Sequence, residues 1–110
     1  MFSKELVKGT LRIVVLRLLE REGRMYGYQM NKRAKELTDG NYQLSEGALY
    51  PLLQKMVQQG LVTTETEQAN GRPRKYYSIT EKGLEAARQK RLEFEHFAFT
   101  MRRLLDLQTK

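Results

Sequence analysis

Two periods of apolar and polar residues run along this chain, and they predict helices and strands respectively. Apolar positions three and four residues apart predict four helices, over residues 4–22, 26–37, 45–59 and 80–107. Alternation and β-branched residues between the last two helices predict two strands, over residues 61–67 and 75–79. The polar tract 68–74 joins these strands, so the pattern predicts a hairpin with a long basic tip.

The order of these elements predicts the fold class. Three helices followed by a hairpin is the plan of a winged helix-turn-helix, so the chain is predicted to be mostly α with a small β-hairpin and a long C-terminal helix. In this fold the third helix enters the major groove of DNA, and the hairpin, called the wing, lies against the backbone or in the minor groove.

The third predicted helix lies in 45-SEGALYPLLQKMVQQG-60 and carries residues suited to DNA contact. Ser45 is a good N-cap, and Gly47 keeps the first turn slim, so that its free N–H groups can approach a phosphate. The residues of this helix that are predicted to contact DNA are Ser45, Tyr50, Pro51, Gln54 and Lys55. The alternative is that Pro51 is a tolerated kink and Ser45 is only a cap.

The segment 71-GRPRKYY-77 is the second candidate for DNA contact. Pro73 restricts Arg72 to an extended backbone, which lowers the entropy lost on binding, and an extended arginine can enter a narrow minor groove. The residues predicted to contact DNA here are Gly71, Arg72, Arg74 and Lys75. The alternative is a solvated run of charge. Tyr76 and Tyr77 face opposite sides of a strand, so one of them is expected in the core.

The last predicted helix carries more apolar residues than one small domain can cover. Its apolar positions step by three and four residues, which is a heptad pattern interrupted by one arginine. The seam consists of Leu84, Ala87, Arg91, Phe94, Ala98, Met101 and Leu105. The first helix is apolar on two sides, so the last helix either packs back on it or meets a second copy of the chain.

Composition limits the classes of partner that the chain is expected to bind and argues against a metal site, a cofactor site and enzyme activity. The chain has 110 residues and a net charge of +7, which favours an anionic partner such as nucleic acid. It has no cysteine, and a single histidine, His96, is far more often a surface or packing residue than a ligand. No phosphate-binding glycine motif is present, so we predict no metal, no cofactor and no enzyme activity. Without a secretory signal or a membrane-spanning segment, the chain is expected to be cytoplasmic.

Two other functions remain open on this basis. One is a winged-helix module that binds another protein and uses its basic face only for solubility. The other is association of the first helix with a membrane surface, which is disfavoured because the core already uses the apolar face of that helix.

Four motifs resemble the signature of PadR-type bacterial transcriptional regulators. They are YGYQM at 26–30, LSEGALYPLLQKM at 44–56, GLV at 60–62 and GRPRKYYSITEKG at 71–83. Residue by residue, the matches to the family's recognition-helix and wing motifs are Ser45, Tyr50 and Pro51, then Gly71, Arg72, Pro73, Arg74 and Lys75. The chain departs from the pattern at Tyr26, where many members have histidine, and at Ala48, where threonine is common. Neither change removes a charge, so DNA binding is expected to survive, with a shift in sequence preference from Ala48.

The resemblance implies a homodimeric winged-helix regulator that represses a nearby promoter. It divides the chain into a DNA-binding domain at 1–79 and a dimerisation helix at 80–110, which crosses to the first helix of the partner. The expected interface residues are Ile13, Leu84, Ala87, Phe94, Ala98, Met101 and Leu105. Such a dimer would bind a near-palindromic operator with half-sites about 34 Å apart, or a multiple of that.

The resemblance also implies a small apolar or aromatic effector in some members. A single C-terminal helix resembles the short subgroup of the family, some members of which bind flat apolar compounds at the dimer centre. In this chain Ile13, Phe94 and Phe97 are expected to line such a pocket. Plain core packing of these side chains is the alternative.

Overall fold

The computed structural model describes residues 1–107, and its elements follow the predicted order. They are the helices α1 (Lys4–Glu22), α2 (Gly27–Leu37), α3 (Glu46–Gln58) and α4 (Glu81–Leu104), and the strands β1 (Val62–Ala69) and β2 (Arg72–Ile79). Helices and hairpin together form a winged helix-turn-helix with a long last helix, so the predicted fold class is confirmed.

The core lies between the first three helices and the base of the hairpin. The helix α1 crosses its centre and buries apolar side chains on two sides, as its pattern predicted. The largest fully buried side chains are Leu11, Val15, Leu16, Leu19, Met30, Leu49, Leu53, Met56 and Val62. Each contributes about 1.5–3 kcal/mol of transfer free energy, and together they form one core that joins α1, α2, α3 and β1.

The hairpin turn is shorter than the sequence pattern predicted. The two strands pair along their whole length and leave only Asn70 and Gly71 in the turn, with φ values of 54° and 78°. Such angles suit a two-residue hairpin turn, for which Asn-Gly is the preferred sequence. The predicted long basic tip at 68–74 is therefore wrong, because residues 72–74 belong to β2. Pro73 is tolerated there because each strand of a two-stranded sheet has an open edge.

A short bridge joins the hairpin to the body of the domain. The N–H of Met25 donates to the carbonyl of Tyr77 at 3.0 Å, and the N–H of Tyr77 donates back at 2.8 Å. Of the two tyrosines in β2, Tyr77 is the buried one, and Tyr76 is half-buried on the opposite face. The base of the wing is thus tied to the segment between α1 and α2.

The helix α4 begins at a close contact with the base of the hairpin. Thr80 caps it: the Thr80 hydroxyl accepts a hydrogen bond from the N–H of Gly83 at 3.0 Å and donates one to the carbonyl of Gly60 at 2.7 Å. A Cβ atom at Gly83 would overlap the carbonyl oxygen of Leu61 and lie 2.7 Å from Cγ1 of Ile79. Glycine at this position therefore lets the first turn of α4 approach the sheet.

Beyond its first turns, α4 extends away from the core. Its buried residues are Gly83 and Ala87, both near its N-terminus. The radius of gyration is 15.1 Å, with principal extents of 53 × 29 × 21 Å, whereas a compact chain of this length has a radius of gyration of about 13 Å. The C-terminal half of α4 is thus largely uncovered by the rest of the chain.

Candidate nucleic-acid interface

The helix α3 presents one buried and one exposed side. Ser45 caps its first turn, because its hydroxyl accepts a hydrogen bond from the N–H of Ala48 at 3.3 Å. The predicted DNA-contacting residues Tyr50, Pro51, Gln54 and Lys55 are all exposed. Gly47, Tyr50, Pro51 and Gln54 follow helical spacing, so they form one continuous stripe with Lys55 at its flank. The helix continues through Pro51, since the carbonyl freed by its missing N–H belongs to the exposed Gly47.

Tyr50 is held in place by a glycine of α2. A Cβ atom at Gly27 would lie 2.8 Å from Cζ of Tyr50, so the phenol ring rests where a side chain would otherwise be. This contact sets the ring against the first turn of α2 while 44% of Tyr50 stays exposed. The contact brings the segments YGYQM at 26–30 and LYP at 49–51 together in space. The sequence analysis did not assign this role to Gly27. The only local signal was a glycine at the start of a predicted helix, which does not indicate a contact with Tyr50.

The wing separates its cations onto two faces. Side chains alternate along β2, so Arg72 and Arg74 project from one face and Lys75 projects from the other. Arg72 and Lys75 are exposed, whereas Arg74 is half-buried with its guanidinium 4.2 Å above the centre of the Tyr26 ring. This cation–π contact turns Arg74 toward the N-terminus of α2. Tyr26 thereby supports a residue of the wing.

Arg24 is a wing contact that the sequence analysis missed. Its Nη1 atom donates to Oε1 of Glu65 at 2.6 Å and to Oε2 of Glu67 at 2.7 Å, and its Cζ lies 4.1 Å above the Tyr76 ring. The hydrogen bond from Arg24 lowers the pKa of Glu67, and the two carboxylates raise the pKa of Arg24. No local pattern in the sequence relates Arg24 to residues some forty positions away, which explains why it was missed.

The predicted seam along α4 is exposed at three of its seven positions, and one position is corrected. Ala87 is only 1% exposed and lies in the core of its own chain, so it is unavailable to a second copy. Arg91, the polar position of the heptad, pairs with Glu20 of α1 at 2.5 Å. Hydrogen bonding from Arg17, together with Arg91, holds the pKa of Glu20 below its ordinary value. Leu84, Phe94 and Leu105 are exposed, and Ala98 and Met101 are partly buried.

The three residues expected in a ligand pocket line one groove between α1 and α4. Ile13, Phe94 and Phe97 border an open space of about 440 Å³, together with Leu52 of α3. The rings of Phe94 and Phe97 lie 6.3 Å apart. The fold therefore brings these three side chains together on an open surface.

The remaining features of the described residues concern metal binding and membrane-spanning helices. Among residues 1–107, no three histidine, cysteine, aspartate or glutamate side chains are grouped so that they could hold a metal ion. His96 is exposed on α4. Within the same described range, no helix combines the length and the apolar character needed to cross a membrane.

Comparison with known proteins relates the chain to bacterial regulators. The model of the transcriptional regulator PadR-like family matches residues 15–89. The chain is 34% identical over 87 residues to the transcriptional regulator YqjI of Escherichia coli (strain K12), which covers 79% of this chain and 40% of that protein. The chain thus spans about two fifths of the length of that relative.

Solved structures of similar proteins extend the match to nearly the whole chain. A transcriptional regulator from Clostridium thermocellum superposes with a TM-score of 0.84 at 27% identity, over 94% of this chain and 97% of that one. A PadR family transcriptional regulator from Eggerthella lenta DSM 2243 has a TM-score of 0.78 at 32% identity, over 94% and 88% of the two chains. The chain therefore belongs to the PadR-like family of transcriptional regulators, which are not enzymes, and the prediction from its motifs is confirmed.

Proposed function

We propose that the chain acts as a homodimeric, sequence-specific DNA-binding repressor on DNA in the cytoplasm. The observation that carries this proposal is the exposed stripe of α3, formed by Gly47, Tyr50, Pro51 and Gln54, together with the exposed Arg72 of the wing. A slim helix surface with amide and phenol groups can read base edges in a major groove. Arg72 and Lys75 would contact the minor groove and the phosphates, and the net charge of +7 favours the encounter.

The dimer is proposed from the uncovered half of α4. Exposed apolar side chains occupy two sides of this helix, with Phe94 and Phe97 on one and Leu92 and Phe99 on the other. A helix that is apolar on two sides requires two covering surfaces, which the α1 and α4 of a second copy can supply. Two-fold symmetry would then place two α3 helices on half-sites of a near-palindromic operator, about 34 Å apart or a multiple of that.

Release from DNA by a small apolar effector is the third part of the proposal. The groove bordered by Ile13, Phe94 and Phe97 supports it, because two aromatic rings and an aliphatic side chain suit a flat apolar molecule. In the proposed dimer this groove would face the second copy. A ligand bound there would change how α4 packs and hence the spacing of the two α3 helices, which couples ligand to operator affinity.

A mobility-shift titration tests the DNA-binding part. The probe is the duplex upstream of the protein's own gene, compared with a random duplex of equal length at two salt concentrations. We expect tight, salt-sensitive binding to the upstream duplex, and a loss of about 1–3 kcal/mol for Arg72→Ala if Arg72 contacts a groove. The control is Arg33→Ala, which removes the same charge from a side chain paired with Glu22 on α1. Equal affinity for both duplexes would favour the protein-binding alternative instead.

A further inference from the structure

Arg24 contacts the wing at three points from outside it. It bridges Glu65 and Glu67 on β1 through a single nitrogen and stacks on Tyr76 of β2. The two glutamates are two positions apart on one strand, so they share a face and would repel each other without a cation between them. Arg24 therefore joins both strands of the wing to the segment that precedes α2.

The strand register shows how the contact between Arg24 and Glu67 affects Arg74. Glu67 lies directly opposite Arg74 in the ladder, a position from which opposite charges ordinarily pair. Instead, Glu67 pairs with Arg24, and Arg74 forms no ion pair with any described residue but lies over the Tyr26 ring. We infer that Arg24 is a positioning residue of the wing: it occupies Glu67 and so keeps the Arg74 guanidinium available to an anionic partner.

The charge on this face of the hairpin depends on the same contact. Arg24, Arg72 and Arg74 supply three positive charges against two from Glu65 and Glu67, so the face has a net charge of +1. Without Arg24 the net charge is zero, and Glu67 is free to pair with Arg74. The inference rests on the proposed DNA binding, because its consequence is that Arg24 strengthens binding without touching DNA.

The first test measures DNA affinity in a set of glutamine variants. We expect Arg24→Gln to weaken binding of the upstream duplex roughly twofold to fivefold more than the charge-matched Arg33→Gln, the range of an exposed ion pair. Adding Glu67→Gln to Arg24→Gln should restore most of that loss. Adding Glu65→Gln, which restores the same net charge but lies opposite Tyr76, should restore less. Equal rescue by both glutamine changes, or no rescue by Glu67→Gln, would overturn the positioning role.

The second test needs no DNA. Because the Arg74 guanidinium lies over the Tyr26 ring, we expect the ring current to displace the side-chain Nε–H signal of Arg74 in the ¹H–¹⁵N spectrum, and the loss of that signal in Arg74→Lys would assign it. We expect Arg24→Gln to shift this signal toward that of a solvated arginine, and the added Glu67→Gln to return it. An unmoved signal in Arg24→Gln refutes the inference whatever the DNA titration gives. If the wild-type chain does not bind the upstream duplex, the proposed function fails, and this spectrum still decides the role of Arg24.

Discussion

Replacing Phe94 by aspartate tests the proposed dimer most directly. A phenylalanine side chain offers roughly 200 Å² of surface, so the 43% of Phe94 that is exposed corresponds to about 85 Å². Covering that area contributes about 2 kcal/mol at ~25 cal/mol per Å². Because a two-fold interface contains the residue twice, its loss costs about 4 kcal/mol, or roughly a thousandfold in the dissociation constant of the dimer. A carboxylate in the same place adds the cost of removing its charge from water.

Sedimentation velocity over a range of protein concentrations measures this effect. We expect wild-type dimers and Phe94→Asp monomers at micromolar concentration, with the helical content of the two proteins nearly equal. The matched control is Thr100→Asp, which puts the same carboxylate on an exposed position of α4 six residues away, between the two apolar sides of the helix. A Phe94→Asp protein that dimerises as tightly as Thr100→Asp would refute the proposed seam.

Substitutions at three glycines give further predictions. The free energy of unfolding of each variant is measured by chemical denaturation at one protein concentration. Gly27→Ala should lower the free energy of unfolding by up to about 1 kcal/mol in the wild type but raise it in a Tyr50→Ala background, because the three atoms nearest the added methyl group all belong to the Tyr50 phenol. Gly83→Ala should lower it by about 1–3 kcal/mol, since its Cβ meets the carbonyl of Leu61, which is backbone and cannot rotate away. Gly47→Ala, with nothing within 4 Å of its Cβ, should raise it by about 0.5–1 kcal/mol while weakening binding of the upstream duplex. A stabilised Gly83→Ala protein, or unchanged DNA affinity in Gly47→Ala, would contradict the packing or the slim-turn argument respectively.

The helices could be predicted because their signals are local. Ser45 and Thr80 begin helices through hydroxyl caps, and apolar residues at helical spacing mark the buried sides. The hairpin was predicted with the wrong turn because the basic residues after it were counted as loop. Asn70-Gly71 is the stronger signal, and the paired strands continue to the edges of that turn.

Only the tertiary structure decided which side chains contact each other when they are distant in the sequence. The sequence by itself determined the order of elements, the exposed stripe of α3, the family and the excess of apolar surface on α4, because each follows from spacing or residue type. Packing decided that Ala87 belongs to the core, that Tyr50 rests on Gly27, and that Arg24 rather than Arg74 pairs with Glu67. These contacts join residues that are distant in the chain, so they depend on how helices and hairpin dock, which no local pattern encodes.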